Sequence, residues 1–264
     1  MPTLVASRIV PLSFSPHSSL LLSQPTVVTA TPQASLWEDF VDIIFAPASV
    51  FRRRERGSWL IPLLIVTIAI AVISFASRGV MQPVMDAEFE RVADGMRKNP
   101  QITEEMIDRA RGMGAWFTTY GPIIITPISI IIVGFMTWLV AKLVDARQTL
   151  HAAMVVAAYA FVPRVFQFIA NAIQGLVLSP DRLNGVIKLS FSPARFLDPT
   201  TANPVLIQVL NRFDLFTIWV TVLLAIGVYV TGRVSKTQAT IAGVLFWIVG
   251  AIPAILSALR QAAA

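Results

Sequence analysis

The chain has 264 residues, of which 55% are hydrophobic and only 14% charged, with a formal net charge of +6 and no cysteine. An ordinary soluble domain carries about 25% charged residues, so there is too little charge here to cover a water-soluble surface. The hydrophobicity excludes a disordered chain, and the absence of cysteine excludes disulfides, thiolate metal sites and thiol catalysis.

Residues 1–34 hold five prolines, many Ser and Thr, a single Arg and no acid. This composition predicts a flexible tail. Pro11, Pro16 and Pro25 interrupt the apolar core that a signal peptide would need.

Order is expected to begin at Ser35. Ser35 and Glu38 have the spacing of a capping box, in which each side chain satisfies the other's backbone N–H. Leu36, Trp37, Phe40, Ile43 and Ile44 recur at helical spacing, with Glu38, Asp39 and Asp42 on the other face. The reading is a short interfacial helix, ended by Pro47, that presents Trp37, Glu38, Asp39 and Asp42 to a partner. Arg52, Arg53, Arg54 and Arg56 follow. They are candidate contacts for anionic lipid head groups, each worth about 1 kcal/mol at a membrane surface, or simply topology anchors.

The gaps between ionisable residues mark the spans. Residues 57–77, 112–141, 215–232 and 237–259 carry no charge, and between Arg147 and Asp181 only Arg164 interrupts. A bilayer core about 30 Å thick needs roughly 20 apolar residues of helix. Five spans are therefore expected near 59–77, 120–143, 150–178, 215–231 and 239–258, making 35–258 an all-α, polytopic membrane domain with a short tail at 259–264. Consecutive apolar runs such as 130–133 argue against the strict alternation of a β-barrel.

The long loop after span one carries charges of both signs, and Ile102, Met106, Ile107, Ala110 and Met113 form an apolar stripe in it, predicting a small helical hairpin. Glu104, Glu105 and Arg109 match the EExxxR pattern of intramembrane prenyl-endopeptidases. That chemistry needs further His ligands within the membrane. The chain has only His17 and His151, so a solvated helix face is the better account. In the second long loop, Asn203 and Pro204 predict a helix start that leads into span four.

Within span three, Arg164, Gln167, Asn171 and Gln174 are spaced by three, four and three, on one helix face. Arg164 falls near the middle of the segment, and an Arg at the bilayer centre costs on the order of 3 kcal/mol, so it should face the bundle. Pro163 and Pro127 free the carbonyls of Tyr159 and Ile123 as acceptors for it, and Asp145 or Asp214 could serve as counter-ion. The stripe is either the lining of a polar cavity or a set of interhelical hydrogen bonds. No phosphate-binding loop, dinucleotide fingerprint or zinc-protease motif occurs. No cofactor, metal or nucleic acid is expected; the lipid bilayer is the expected partner, with other proteins unidentified.

Short loops set orientation. Arg52, Arg53, Arg54, Arg56, Lys142, Arg147, Arg233 and Lys236 all flank one side, which predicts a cytoplasmic N-terminus and an outside C-terminus.

The order of features resembles the Yip family of Ypt/Rab-interacting membrane proteins, in its compact bacterial form. The resemblance rests on Trp37-Glu-Asp-Phe-Val-Asp-Ile-Ile-Phe-Ala-Pro47, the basic stretch, Trp59-Leu-Ile-Pro62, Lys142 closing span two, Tyr159-Ala-Phe-Val-Pro163, Phe213-Asp-Leu-Phe-Thr-Ile-Trp219 and Gly227. It implies a non-enzymatic five-helix protein, a scaffold or trafficking factor, with no catalytic residue to carry over. The alternative is a small transporter or permeability factor using the span-three stripe. Eukaryotic members act with small GTPases, but this chain lacks their longer polar N-terminal region.

Overall fold

The computed structural model describes residues 35–179, 183 and 185–263. The tail expected over 1–34 lies outside the described residues. Ten α-helices follow in order: α1 (Leu36–Phe45), α2 (Pro47–Arg54), α3 (Leu60–Arg97), α4 (Glu104–Leu143), α5 (Leu150–Ala160), α6 (Val162–Val177), α7 (Pro204–Asn211), α8 (Leu215–Gly232), α9 (Lys236–Val249) and α10 (Ile252–Ala263). Five segments are long and apolar enough to cross a membrane: α3, α4, α5 with α6, α8, and α9 with α10. The chain is an all-α polytopic membrane protein.

The two ends of the bundle differ. At the turn end lie α1, α2 and the tight α4–α5 and α8–α9 turns. Asp145 and Arg233 take left-handed backbone there, at φ 56° and 55°. The two turns are tied together: Arg147 N–H donates to the Gly232 carbonyl (3.0 Å), Gln148 Nε2 to Thr231 Oγ1 (2.7 Å) and Gln238 Nε2 to the Val144 carbonyl (2.9 Å). At the loop end lie the α3–α4 connection and the segment between α6 and α8.

Spans one and two are longer than the apolar runs suggest. α3 has 38 residues and α4 has 40. At 1.5 Å per residue each is nearly 60 Å long, about twice the bilayer core. The expected small hairpin is thus the continuation of both spans, with no break at the edge of the apolar run. Ion pairs hold its tip: Arg97 meets Asp94 (3.0 Å) and Glu104 (3.2 Å), and Arg111 meets Glu90. Glu105 accepts from Arg109 at 2.6 Å on one helix face, an ordinary i,i+4 pair.

α5 is the centre of the bundle. Ala152, Ala153, Val155, Val156, Ala157, Ala158, Tyr159 and Ala160 are all buried, and α5 packs against α4, α8, α3, α1 and α2. Small residues permit this closeness. A Cβ on Gly134 of α4 would stand 2.5 Å from Met154 Sδ and 3.2 Å from Met154 Cα. A Cβ on Gly227 of α8 would lie 2.7 Å from one γ-carbon of Val156 and closer still to the other. Val156 is stiff at χ1, so it cannot swing aside.

Prolines divide spans three and five. Pro163 has no N–H, and Arg164 N–H turns back to Phe161 O (2.9 Å), separating α5 from α6. In span five Pro253 follows a turn in which Ala251 N–H bonds Ile248 O (3.0 Å), leaving the Trp247 carbonyl without its usual partner. Arg212 Nη2 supplies one at 2.6 Å, and Trp247 Nε1 returns a bond to the Arg212 carbonyl at 3.0 Å. α10 continues to Ala263, across the stretch expected as a tail: Gln and Ala are good helix formers and nothing there breaks the helix.

Gly227→Ala should destabilise the protein by about 1–3 kcal/mol, the usual cost of overpacking. Gly79→Ala, at a helical site where nothing lies within 4 Å of the added carbon, should be neutral or stabilise by up to about 1 kcal/mol. Thermal unfolding of both variants in the same detergent checks the contrast.

Candidate functional site

The amphipathic helix α1 forms with its predicted capping box: Ser35 N–H donates to Glu38 Oε2 (2.7 Å) and Glu38 N–H to Ser35 Oγ (3.2 Å). Phe40, Ile43 and Ile44 turn to the core as expected, but two residues do not follow the pattern. Asp39 points inward and is fully buried, while Trp37 is 74% exposed. Asp39 Oδ1 accepts from Arg53 Nε (2.6 Å), and its Oδ2 from Arg54 Nε (2.5 Å) and the Tyr159 hydroxyl (3.2 Å). Arg53 Nη2 also reaches Asp42 Oδ2 (2.7 Å). The expectation that Asp39 faces a partner is therefore corrected, and Arg53 and Arg54, expected as lipid head-group contacts, are paired with carboxylates while keeping part of their surface. The basic stretch is itself a helix, α2, which folds back on α1 and places two guanidiniums against one carboxylate. Trp37, Glu38, Arg52 and Arg56 remain exposed, and Asp42 partly so.

The span-three stripe lies on α6, and the structure brings all four residues to its polar face. Arg164 Nη1 donates to Gln167 Oε1 (2.6 Å) and its Nη2 to Thr217 Oγ1 (3.3 Å). The freed carbonyls of Tyr159 and Ile123 do not receive the guanidinium. Thr217 is in the first turn of α8, so Arg164 lies toward the loop end and not at the bilayer centre.

Asn171 and Gln174 hold the covering loop. Gln174 Nε2 donates to the Leu189 carbonyl (3.0 Å), and Arg195 Nη2 donates to Gln174 Oε1 (3.0 Å). With its amide oriented to satisfy both ends, Asn171 donates to the carbonyls of Gln167 (3.3 Å) and Leu189 (3.2 Å). The loop rests on a small core of Val84, Leu183 and Leu189, and Val186 N–H reaches Glu88 Oε2 of α3 (3.2 Å).

Between α6 and these covers is a polar cavity of about 550 Å³, lined by Arg164, Gln167 and Asn171 together with Glu88, Arg91 and Asp214. Asp214 does turn inward, at 3% exposure, but its carboxylate is occupied. Oδ1 accepts from the Phe216 and Thr217 N–H groups (3.0 and 3.1 Å) and Oδ2 from Phe191 N–H (2.8 Å). It caps α8 and ties the loop to it, and makes no ion pair with Arg164. Sequence reasoning missed Glu88, Arg91 and Thr217 as neighbours of the stripe. The only signal for them was their place near span ends on the same side. Among the described residues no cluster of His, Asp or Glu could hold a metal.

A family model described as the Yip1 domain matches residues 41–257. The chain belongs to the Yip1-domain family. It is similar to the membrane protein YknW of Bacillus subtilis, 25% identical over 220 residues, covering 83% of this chain and 87% of that one. No solved structure matches. Three residues have clear structural roles here: Pro47 starts α2, Pro163 divides α5 from α6, and Gly227 lets α8 touch α5.

Replacing Asp39 by Asn should cost about 3 kcal/mol, the low end for breaking a buried ion pair, because the arginine side chains keep 28% and 23% exposure. Denaturation in detergent measures the loss, and Asp42→Asn, at the more exposed pair, should cost under about 1 kcal/mol.

Proposed function

We propose that this Yip1-family protein is a non-enzymatic scaffold or adaptor of the bacterial cytoplasmic membrane, with the turn end in the cytoplasm and the C-terminus outside. The basic residues of the short turns support the orientation, since Lys and Arg in short loops stay cytoplasmic. The bacterial relative supports the compartment.

The observation that carries the scaffold reading is the one-sidedness of the polar cavity. Below Arg164, toward the turn end, every α5 side chain from 155 to 160 is buried, and the one polar group among them, the Tyr159 hydroxyl, is taken by Asp39. A transport or permeability role would need a polar route through that stretch. What the turn end offers instead is surface. Trp37, Val41 and Phe45 recur every fourth residue along α1 and are 74%, 56% and 80% exposed. This stripe sits on a helix clamped in place by the Asp39 ion pairs, so a partner helix would meet a rigid apolar ridge bordered by Glu38. Such helix-face recognition reads anchors at this spacing.

Site-specific photo-crosslinkers at Trp37 and Phe45 test the reading in intact cells, with Ile131, exposed on α4 in the membrane, as the lipid-facing control. Discrete protein adducts at Trp37 and Phe45, absent at Ile131, are the expected result. Lipid adducts alone at all three positions would contradict a partner-binding role for α1. In sealed vesicles containing the purified protein, leakage of small anionic dyes should match that of protein-free vesicles; a large protein-dependent flux would restore the transport reading.

A further inference from the structure

We infer that the loop-end cavity is a binding site for an oxyanion, a phosphate or carboxylate group, with Arg164 as its main contact. The inference does not depend on the scaffold reading.

The first observation is a guanidinium with no direct ion pair among the described residues. Arg164 is mostly buried, yet its described partners are a neutral amide and a neutral hydroxyl. No carboxylate among the described residues lies within ion-pair distance of it. A guanidinium has five N–H donors, and two groups are accounted for here. Leaving a charged group partly dehydrated and unpaired is costly, which an anion in the cavity would offset.

The second observation is that, among the described residues, the two carboxylates in the cavity wall are already committed. Glu88 Oε1 is taken by Arg91 and its Oε2 by the Val186 N–H, while Asp214 caps α8 and holds Phe191. Neither can turn to Arg164 without releasing the loop or the helix. Arg91, in the same wall, keeps a buried Nε–H with no partner. Arg91 is itself paired with Glu88, however, so the main unmet demand for acceptors in the cavity comes from Arg164.

The third observation is size and setting. A volume of about 550 Å³ falls in the ordinary range for small-molecule pockets and could hold a group as large as a phosphate ester. The planar guanidinium fork matches phosphate and carboxylate oxygens. Asn211 and Gln208 of the wall add neutral hydrogen-bonding groups. The anion can come from two sources, a lipid head group in the outer leaflet or a free solute, and the chemistry is the same for both.

The test uses the full chain with a single cysteine, Asn171→Cys, made possible by the absence of native cysteine. The protein is placed in nanodiscs of phosphatidylcholine and the labelling rate with a charged maleimide is followed. Inorganic phosphate is added at constant ionic strength in one arm, and phosphatidylglycerol replaces part of the lipid in the other. A ligand at ten times its dissociation constant leaves about a tenth of the sites free, so labelling slows about tenfold. Slowing by phosphate means a soluble oxyanion suffices; slowing by phosphatidylglycerol alone means the head group is the ligand. A cysteine at Glu105, on the exposed hairpin, should show neither effect. Arg164→Gln in the Asn171→Cys background should abolish the protection, and Arg164→Lys should restore part of it. Equal rates in every arm, no labelling at all, or protection that survives Arg164→Gln would each overturn the proposal. Should Arg164→Gln fail to fold, the two ligand arms with native Arg164 still decide it.

Discussion

A polar group that leaves water in this protein must find its partner within the chain, because lipid offers none. That constraint organises both ends of the bundle. At the turn end it produces the cluster of Asp39, Arg53, Arg54 and Tyr159, which joins α1, α2 and α5 through one carboxylate. At the loop end it produces the exchange between Arg212 and Trp247, where a guanidinium takes the carbonyl that the break in span five leaves open. Buried ion pairs of this kind add little net stability compared with apolar packing. Here Arg53 and Arg54 of α2 hold α1 in the rotation that turns Asp39 inward.

The two halves of the bundle answer the constraint differently. Near the turn end the helices come so close that water has no room, and the means are small residues: Gly134 and Gly227 against Met154 and Val156, with alanines along α5. Toward the loop end Pro163 ends that close-packed helix and begins α6, whose polar face the following loop covers but does not fill. A dry seal below a polar cavity follows from where the proline falls in span three. The same break lets Arg164 reach Thr217 at the edge of α8, away from the bilayer centre where its charge would cost most.

Much of this was legible in the sequence. Charge-free runs located the five spans, Ser35 with Glu38 and Asn203 with Pro204 marked helix starts that are capped as expected, and three–four–three spacing put Arg164, Gln167, Asn171 and Gln174 on one face. Four things were not. The rotation of α1 was hidden because apolar periodicity assumes that apolar residues turn inward, whereas here a carboxylate is drawn in by arginines more than ten residues away. The length of α3 and α4 was hidden because hydropathy reports where a helix leaves lipid, not where it ends; the charged continuation is held by ion pairs across the hairpin. The depth of Arg164 was hidden because counting residues along span three treats it as one straight helix. The cavity's other walls, Glu88 and Arg91 on α3 and Thr217 on α8, depend on contacts between distant segments that no local pattern encodes.

The central claim is that span three changes from dry to wet at its proline. The most direct measurement is a single-cysteine scan along α5 and α6 in sealed, oriented vesicles, with impermeant thiol reagent added from either side. The account predicts no reaction from either side at positions 153, 156, 157 and 160, and reaction from the loop-end side alone at positions 164, 167 and 171. Reaction at the α5 positions, or reaction at 164 and 167 from both sides, would show a continuous water path and contradict the account.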